Sequence, residues 1–148
     1  MIAKARQVQH VYLVGAKSLG AYGGYETFVY KLTEHHQNKK NIKYHVACKA
    51  NGDGCMDETK FDGVTKINDH EFELHNAHCF KIDVPQIGPA QAIYYDVAAL
   101  KACCEHIKKN HMTTHKNATA RSPCKDEISF LSVTVSSVLP QSAAAVLF

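Results

Sequence analysis

The sequence lacks several patterns that assign a function directly. It contains neither GxGxxG nor a GK pair followed by Ser or Thr, which excludes a P-loop and disfavours a dinucleotide-binding fingerprint. Its six cysteines form no repeated CxxC pair, and the first residues contain no signal-peptide h-region followed by a small-residue cleavage site. We therefore expect reduced thiols in a cytosolic chain.

A long run of like charge is also missing. The formal net charge is +3 at pH 7, and the clustered lysines lie in two short groups, at 39–43 and 108–109, without interleaved aromatic residues. Nucleic acid is therefore not an expected partner. A mildly basic surface suits phosphate-bearing substrates or the anionic face of a membrane, although solvated helix ends explain the same lysines.

The composition that is present is that of one globular domain. The chain has 148 residues, of which 45% are hydrophobic and 21% charged, enough for a single core and too few residues for two large domains.

The first half of the chain predicts a βαβ unit over residues 8–50. The β-branched and aromatic run 8–15 predicts a buried strand, a loop follows over 16–24, and 43–50 predicts a second strand. Between them an amphipathic helix is predicted from apolar residues at i, i+3, i+4 and i+7: Tyr25, Phe28, Val29 and Leu32.

The second half continues the alternation. Residues 63–67 and 71–74 predict short strands, 78–84 predicts a longer one, and 85–89 predicts a loop. A second long helix is predicted with one apolar face: Ile93, Val97, Leu100, Cys104 and Ile107. On this face Cys104 would pack in the core. Strands that alternate with helices indicate an α/β domain with a Rossmann-like parallel sheet.

The composition changes after residue 111. Residues 112–148 contain no Gly, no Tyr and ten Ser or Thr, without a clear period, so we divide the chain into a domain at 1–111 and an atypical, irregular tail at 112–148. Truncation, a frame shift or disorder would explain such a tail. Residues 128–148 carry no charge, but five serines, Thr134, Pro140 and Gln141 argue against a membrane-spanning helix there.

The loop before the first helix is the strongest candidate site. Gly15, Gly20, Gly23 and Gly24 follow the first strand, where the carboxyl edge of an α/β sheet meets the amide-rich start of a helix and ligands commonly bind. The alternative is that these glycines only shape a tight loop.

Three other side chains belong to this candidate site. Glu26 would orient a sugar hydroxyl, or only interact with the helix dipole. Tyr22 and Tyr25 would stack on a sugar or nucleotide, or anchor the loop to the core.

A metal site is weighed and disfavoured. His75, His78 and Cys79 lie within five residues, with His70 and Cys55 not far away in the sequence, but the spacing fits no standard zinc pattern. Neighbouring side chains on a strand point to opposite faces. We therefore expect no metal ligands, and no partnered base marks a nucleophile, so the catalytic residues stay unassigned.

The stretch GAKSLGAYGGYETFVYKL resembles bacterial rhamnosyltransferases of the retaining glycosyltransferase family four, which have two Rossmann-like domains in the GT-B arrangement. The likeness continues through NIKYHVACKANGDGCMDETKFDGV and HCFKIDVPQIGPAQAIYYDVAALKACCEHIKKN, and so covers about residues 8–111. In this family Ser18-Leu19 is more usually Gly-Ile or Gly-Leu.

The resemblance implies transfer of L-rhamnose from a nucleotide diphosphate sugar, dTDP-L-rhamnose, to a polyprenyl-diphosphate-linked saccharide during capsule or cell-wall polysaccharide synthesis. It implies peripheral contact with the cytoplasmic membrane face and no metal or other cofactor. It places Gly20, Tyr22, Gly23, Gly24, Glu26 and Thr27 near the substrates.

The same resemblance implies that this chain is the acceptor-side part of an enzyme, without the second, donor-binding domain, and that it does not turn over alone. Two other readings stay open. One is an α/β phosphate- or nucleotide-binding module that acts as it stands, and the other is a structural or regulatory remnant that pairs with a separate donor-binding subunit.

Overall fold

The computed structural model describes residues 8–20, 23–117, 131–134 and 144–147. It contains seven strands and two α-helices in this part of the chain: β1 (Gln9–Leu13), α1 (Gly24–His35), β2 (Ile42–Lys49), β3 (Thr65–Lys66), β4 (Glu71–Leu74), β5 (Ala77–Ile82), α2 (Gln91–Asn117), β6 (Leu131–Thr134) and β7 (Ala144–Leu147). Short 3-10 turns lie at Glu58–Lys60 and Gly88–Ala90. The predicted α/β class is confirmed.

The main sheet has five strands in the order β1-β2-β5-β4-β3. Strand β1 pairs parallel with β2, and β2 pairs parallel with β5, which is the Rossmann-like arrangement predicted. The short strands β4 and β3 extend the sheet antiparallel, so the sheet is mixed. The cause is local, because only two residues separate β4 from β5, and a two-residue connection permits only an antiparallel hairpin.

That hairpin turn is held by a buried side chain. His75 adopts a positive φ of 53°, and the following Asn76 is 9% exposed. The Nδ2 of Asn76 donates to the carbonyl oxygens of His36, Lys39 and Ile42 at 3.0, 3.2 and 2.7 Å. The turn between β4 and β5 is therefore tied to the connection between α1 and β2.

The two faces of the sheet are covered by different helices. On one face Leu13, Val46 and Leu74 pack with Val29 of α1. The other face packs against α2 through a second cluster of buried residues: Tyr12, Val14, Ala47, Phe80, Val84, Tyr95, Ala99 and Cys103. Successive strand residues point to opposite faces, which is why β1, β2 and β5 each contribute to both clusters.

The buried faces of the helices differ from those predicted. In α2 the buried residues are Tyr95, Ala99 and Cys103, which share one face at a spacing of four. Ile93 and Val97 are 71% and 61% exposed. The prediction that they face the core was wrong, because the fully buried stripe is made of aromatic, small and sulfur-containing residues. Leu100 and Ile107 of the predicted face do pack, partly buried, against the second cluster.

Two single residues need the same correction. Cys104 was predicted to pack in the core but is exposed, since Cys103 takes the inward position. In α1, Phe28 is 56% exposed, while Thr33 joins Val29 in the interior.

The region after residue 111 is described in part. Helix α2 continues to Asn117, and β6 and β7 form a separate antiparallel pair. The rest of the tail that we predicted as irregular lies outside the described residues, as does most of the uncharged stretch 128–148, and the domain boundary at 111 stays a prediction. Neither described helix is both long and apolar enough to cross a bilayer.

Candidate functional site

The glycine loop lies at the carboxyl edge of the sheet, the edge where the parallel strands β1, β2 and β5 end. Backbone hydrogen bonds join the loops at this edge: Lys49 N donates to Lys17 O, and Ala50 N donates to Ile82 O, each at 2.8 Å. The Tyr95 hydroxyl lies 2.7 Å from Ala16 O and 2.9 Å from Ala47 O. The edge is therefore a fixed platform, as open α/β ligand sites require.

The loop glycines serve different purposes. Gly15 and Gly20 have φ values of 98° and 67°, a region that other residues rarely adopt. A side chain at Gly20 would also press against the Phe61 ring at 3.0 Å. These two glycines therefore shape the loop.

Gly24 is the open position of the loop. It begins α1, and a side chain there would meet nothing within 4 Å. Gly23 is extended, with φ 175°, and a side chain there would collide with the Glu26 carboxylate. The space beside the main chain is therefore open at Gly24, whereas the Glu26 carboxylate occupies it at Gly23.

Glu26 folds back over the start of its own helix. Its Oε1 accepts from Lys17 N at 3.4 Å, and its carboxylate lies against Gly23. A carboxylate at a helix N-terminus interacts favourably with the amide dipoles. The start of α1 is thus not a vacant anion hole, and the group that it presents is an acceptor.

The other loop residues predicted to lie near the substrates are Thr27, Tyr25 and Tyr22. Thr27 is exposed, and its amide donates to Gly23 O at 3.0 Å as part of the helix. Tyr25 donates its hydroxyl to Val14 O at 3.2 Å, and burial raises its pKa, so it anchors the loop. Tyr22 lies outside the described residues.

Sequence reasoning missed a second group of side chains at the carboxyl edge, which we call the Gly52 donor group: Lys49, Gln86 and Gln91. A side chain at Gly52 would meet the Nε2 of Gln86 at 3.1 Å, and the Lys49 Nζ and Gln91 Nε2 at 3.6 Å. Gly52 itself has a φ of 79°. The only signal in the sequence is the stretch NGDG at residues 51–54, which by itself indicates only a turn.

The Gly52 donor group is rich in unsatisfied hydrogen-bonding capacity. Lys49 is 5% exposed, and its ammonium donates to Asp53 O at 3.1 Å without a carboxylate partner among the described residues. The Nε2 of Gln91 is buried and has no hydrogen-bond partner in the same part of the chain. Buried donors of this kind are normally paired, so the arrangement is suited to an anionic ligand.

The metal ligands weighed from the sequence do not come together. His75 contacts Thr33 and Tyr30 on the α1 face, and Cys79 is buried in the core on that face. His78 points to the α2 face instead. Strand alternation therefore places Cys79 and His78 on opposite faces of the sheet, as predicted. His78 has other imidazoles beside it on the α2 face.

The fold defines the class of the protein, an α/β domain with a glycine loop and buried N–H donors at the carboxyl edge of its sheet. Residues 8–117 match the family described as Domain of unknown function (DUF1972), and the chain belongs to that family. No curated protein and no solved structure matches the chain.

Proposed function

We propose that this chain is the acceptor-side domain of a retaining glycosyltransferase that moves L-rhamnose from dTDP-L-rhamnose to a polyprenyl-diphosphate-linked saccharide. Two observations support the class of enzyme. The family is associated with N-terminal regions of glycosyltransferases, and the sequence resembles rhamnosyltransferases from the glycine loop onward. The choice of rhamnose rests on that resemblance.

The observation that carries the proposal is the Gly52 donor group. A buried ammonium with one carbonyl partner and two neighbouring amide groups offers several N–H donors to one small volume. Diphosphate oxygens accept such bonds, and charge-assisted bonds of this kind are stronger than neutral ones. We assign the diphosphate of the lipid-linked acceptor to this group.

Glu26 and Gly24 would then meet the sugar. The Glu26 carboxylate is an acceptor, so it suits the O–H groups of a saccharide rather than a second anion. Gly24 leaves the space beside it open for the ring. Glu26 is connected to the end of β2 that carries Lys49, because Lys17 donates its N–H to Glu26 and accepts the main-chain N–H of Lys49 at its carbonyl.

A lipid-linked acceptor also requires contact with the cytoplasmic membrane face. The loop before α2 and the first turns of that helix expose Ile87, Ile93, Tyr94 and Val97, each at least 46% exposed. Exposed apolar clusters of this kind are common at membrane and protein interfaces. They follow the same carboxyl edge, which supports a peripheral orientation with this edge toward the lipid.

The experiment measures binding of a short-chain polyprenyl diphosphate to the 148-residue chain by calorimetry, with inorganic pyrophosphate and dTDP as comparison ligands. We expect the polyprenyl diphosphate to bind most tightly. Lys49→Met should weaken binding about tenfold or more, because a charge-assisted contact contributes about 1.5–3 kcal/mol. The matched control, Lys101→Met, removes an exposed lysine of α2 and should leave binding unchanged.

The comparison ligands separate this proposal from a phosphate-binding module that acts alone. Equal affinity for pyrophosphate and for the polyprenyl diphosphate would favour the module, and tightest binding of dTDP would place a nucleotide at this edge instead. Binding that Lys49→Met leaves unchanged would remove the Gly52 donor group from the mechanism.

A further inference from the structure

Three histidines from three different elements meet on the α2 face of the sheet. Strands β2 and β5 place His45 directly opposite His78, and His106 of α2 packs against both rings, with centroids 4.7 and 5.1 Å away. One ring nitrogen from each of the three lies within 4.8 Å of the others. We call these residues the histidine cluster.

The cluster lies away from the carboxyl edge. His45 precedes Lys49 by four residues on β2, and at about 3.3 Å per residue the two positions are about 13 Å apart along the strand. His78 is the second residue of β5. The cluster therefore lies toward the amino edge, the edge where the parallel strands begin, and is separate from the acceptor site proposed above.

The rings are withdrawn from water. His45 is 4% exposed, and the side chain of His78 is 12% exposed. The His106 ring packs against both of them, so the cluster lies between α2 and the sheet.

Each ring also has a polar group from outside the cluster near one of its nitrogens. His45 Nε2 lies 2.9 Å from His10 Nδ1, and His106 Nδ1 lies 2.8 Å from the Tyr12 hydroxyl. His78 Nε2 lies 3.7 Å from the Glu71 carboxylate. Metal-binding histidines are commonly oriented in this way by a carboxylate or another polar group at the second nitrogen.

These partners leave one nitrogen of each ring for a shared ligand: His45 Nδ1, His78 Nδ1 and His106 Nε2. The first two are 3.5 Å apart. Tetrahedral zinc with Zn–N bonds of about 2.0–2.1 Å requires nitrogens about 3.4 Å apart. The pair on the strands already has that separation, and His106 offers a ring nitrogen within 4.8 Å of a nitrogen of each.

We propose that His45, His78 and His106 bind one divalent transition-metal ion and that the ion fastens α2 to β2 and β5. Three imidazoles suit Zn²⁺, Ni²⁺ or Cu²⁺, and the fourth coordination position is left to water. The proposal concerns a site apart from sugar transfer, for which the family resemblance implies no metal.

The test uses the full chain, stripped with EDTA and titrated with Zn²⁺ by calorimetry, with bound metal counted after gel filtration. We expect one ion per chain and a higher Tm when the ion is bound, since a ligand that binds only the native state stabilises it. Co²⁺ in place of Zn²⁺ should give d–d absorption without thiolate charge transfer, which separates imidazole from cysteine ligation.

Variants then locate the ion. His106→Gln should weaken Zn²⁺ binding about tenfold or more, and Glu71→Gln, which alters the orienting carboxylate, about tenfold. The matched control, His35→Gln, removes an exposed histidine of α1 and should bind as the parent does.

Three results would overturn the proposal: no stoichiometric binding by the parent chain, a thiolate band with Co²⁺, or equal affinity in the parent and His106→Gln. If His106→Gln does not fold by circular dichroism, the ring nitrogen shifts of the parent chain decide by NMR. Addition of Zn²⁺ must then perturb His45, His78 and His106, and shifts at other histidines alone would count against the site.

Discussion

The two edges of one sheet carry opposite chemistry on different kinds of scaffold. At the carboxyl edge, most of the polar groups sit on loops or where a strand or helix meets a loop, and the Gly52 donor group presents N–H donors. At the amino edge, imidazoles project from β2, β5 and α2 and present lone pairs. The comparison shows two ways to assemble a site. N–H donors for an anion lie together where strands and helices end in loops, whereas the imidazoles lie together because strand register places them side by side.

The largest loss of stability is expected from a substitution of Asn76, which lies at the amino edge. Asn76→Ala removes the Nδ2 that donates to three carbonyl oxygens, and at about 1 kcal/mol for each lost bond we expect a loss of about 2–3 kcal/mol in the free energy of unfolding. Urea denaturation measures it. Asn38→Ala, at an exposed position in the nearby turn, should change stability little, and an equal loss in both variants would contradict the role of Asn76.

A comparable change at the carboxyl edge should lower the free energy of unfolding by a smaller amount. Tyr95→Phe removes the hydroxyl that contacts Ala16 O and Ala47 O but keeps the buried ring, so we expect a loss of about 1 kcal/mol. The control is Tyr94→Phe, where the residue is 46% exposed. If Tyr95→Phe proved as stable as the parent, the hydroxyl would not be what holds the loop to β2.

The smallest effect concerns Asp96, one residue further along α2. Burial raises the pKa of Asp96, so the folded chain holds its proton to higher pH than the unfolded chain does. Stability then falls as pH rises from about 3.9, the ordinary Asp value, through the raised folded pKa.

Asp96→Asn should therefore be more stable than the parent at pH 7 and equal to it at pH 3. Thermal unfolding at the two pH values tests this. A variant that is less stable than the parent at pH 7 would show that the ionised carboxylate has a stabilising contact.

Much of the fold follows from the sequence because its signals are local. The periodicity of 25–32 and the β-branched runs at 8–15 and 43–50 predict β1, α1 and β2 to within three residues. The buried face of α2 does not follow, because Tyr95, Ala99 and Cys103 compete with an equally periodic aliphatic stripe at Ile93 and Val97. Only the neighbouring strands decide which stripe is covered.

The candidate sites divide in the same way. The glycine loop is visible in the sequence because its residues are consecutive. The Gly52 donor group and the histidine cluster depend on strand order and register, which bring together residues up to 61 positions apart. One signal was available in hindsight, since His10, His45 and His78 each lie near the start of a strand.

The single residue Lys17 links the glycine loop to the end of β2. Its N–H is bonded to Glu26 and its carbonyl to the amide of Lys49, so only one α-carbon separates the attachment points of the two halves of the edge. A ligand that displaced the Glu26 carboxylate would break its contact with Lys17, one α-carbon away from the bond that fixes the end of β2.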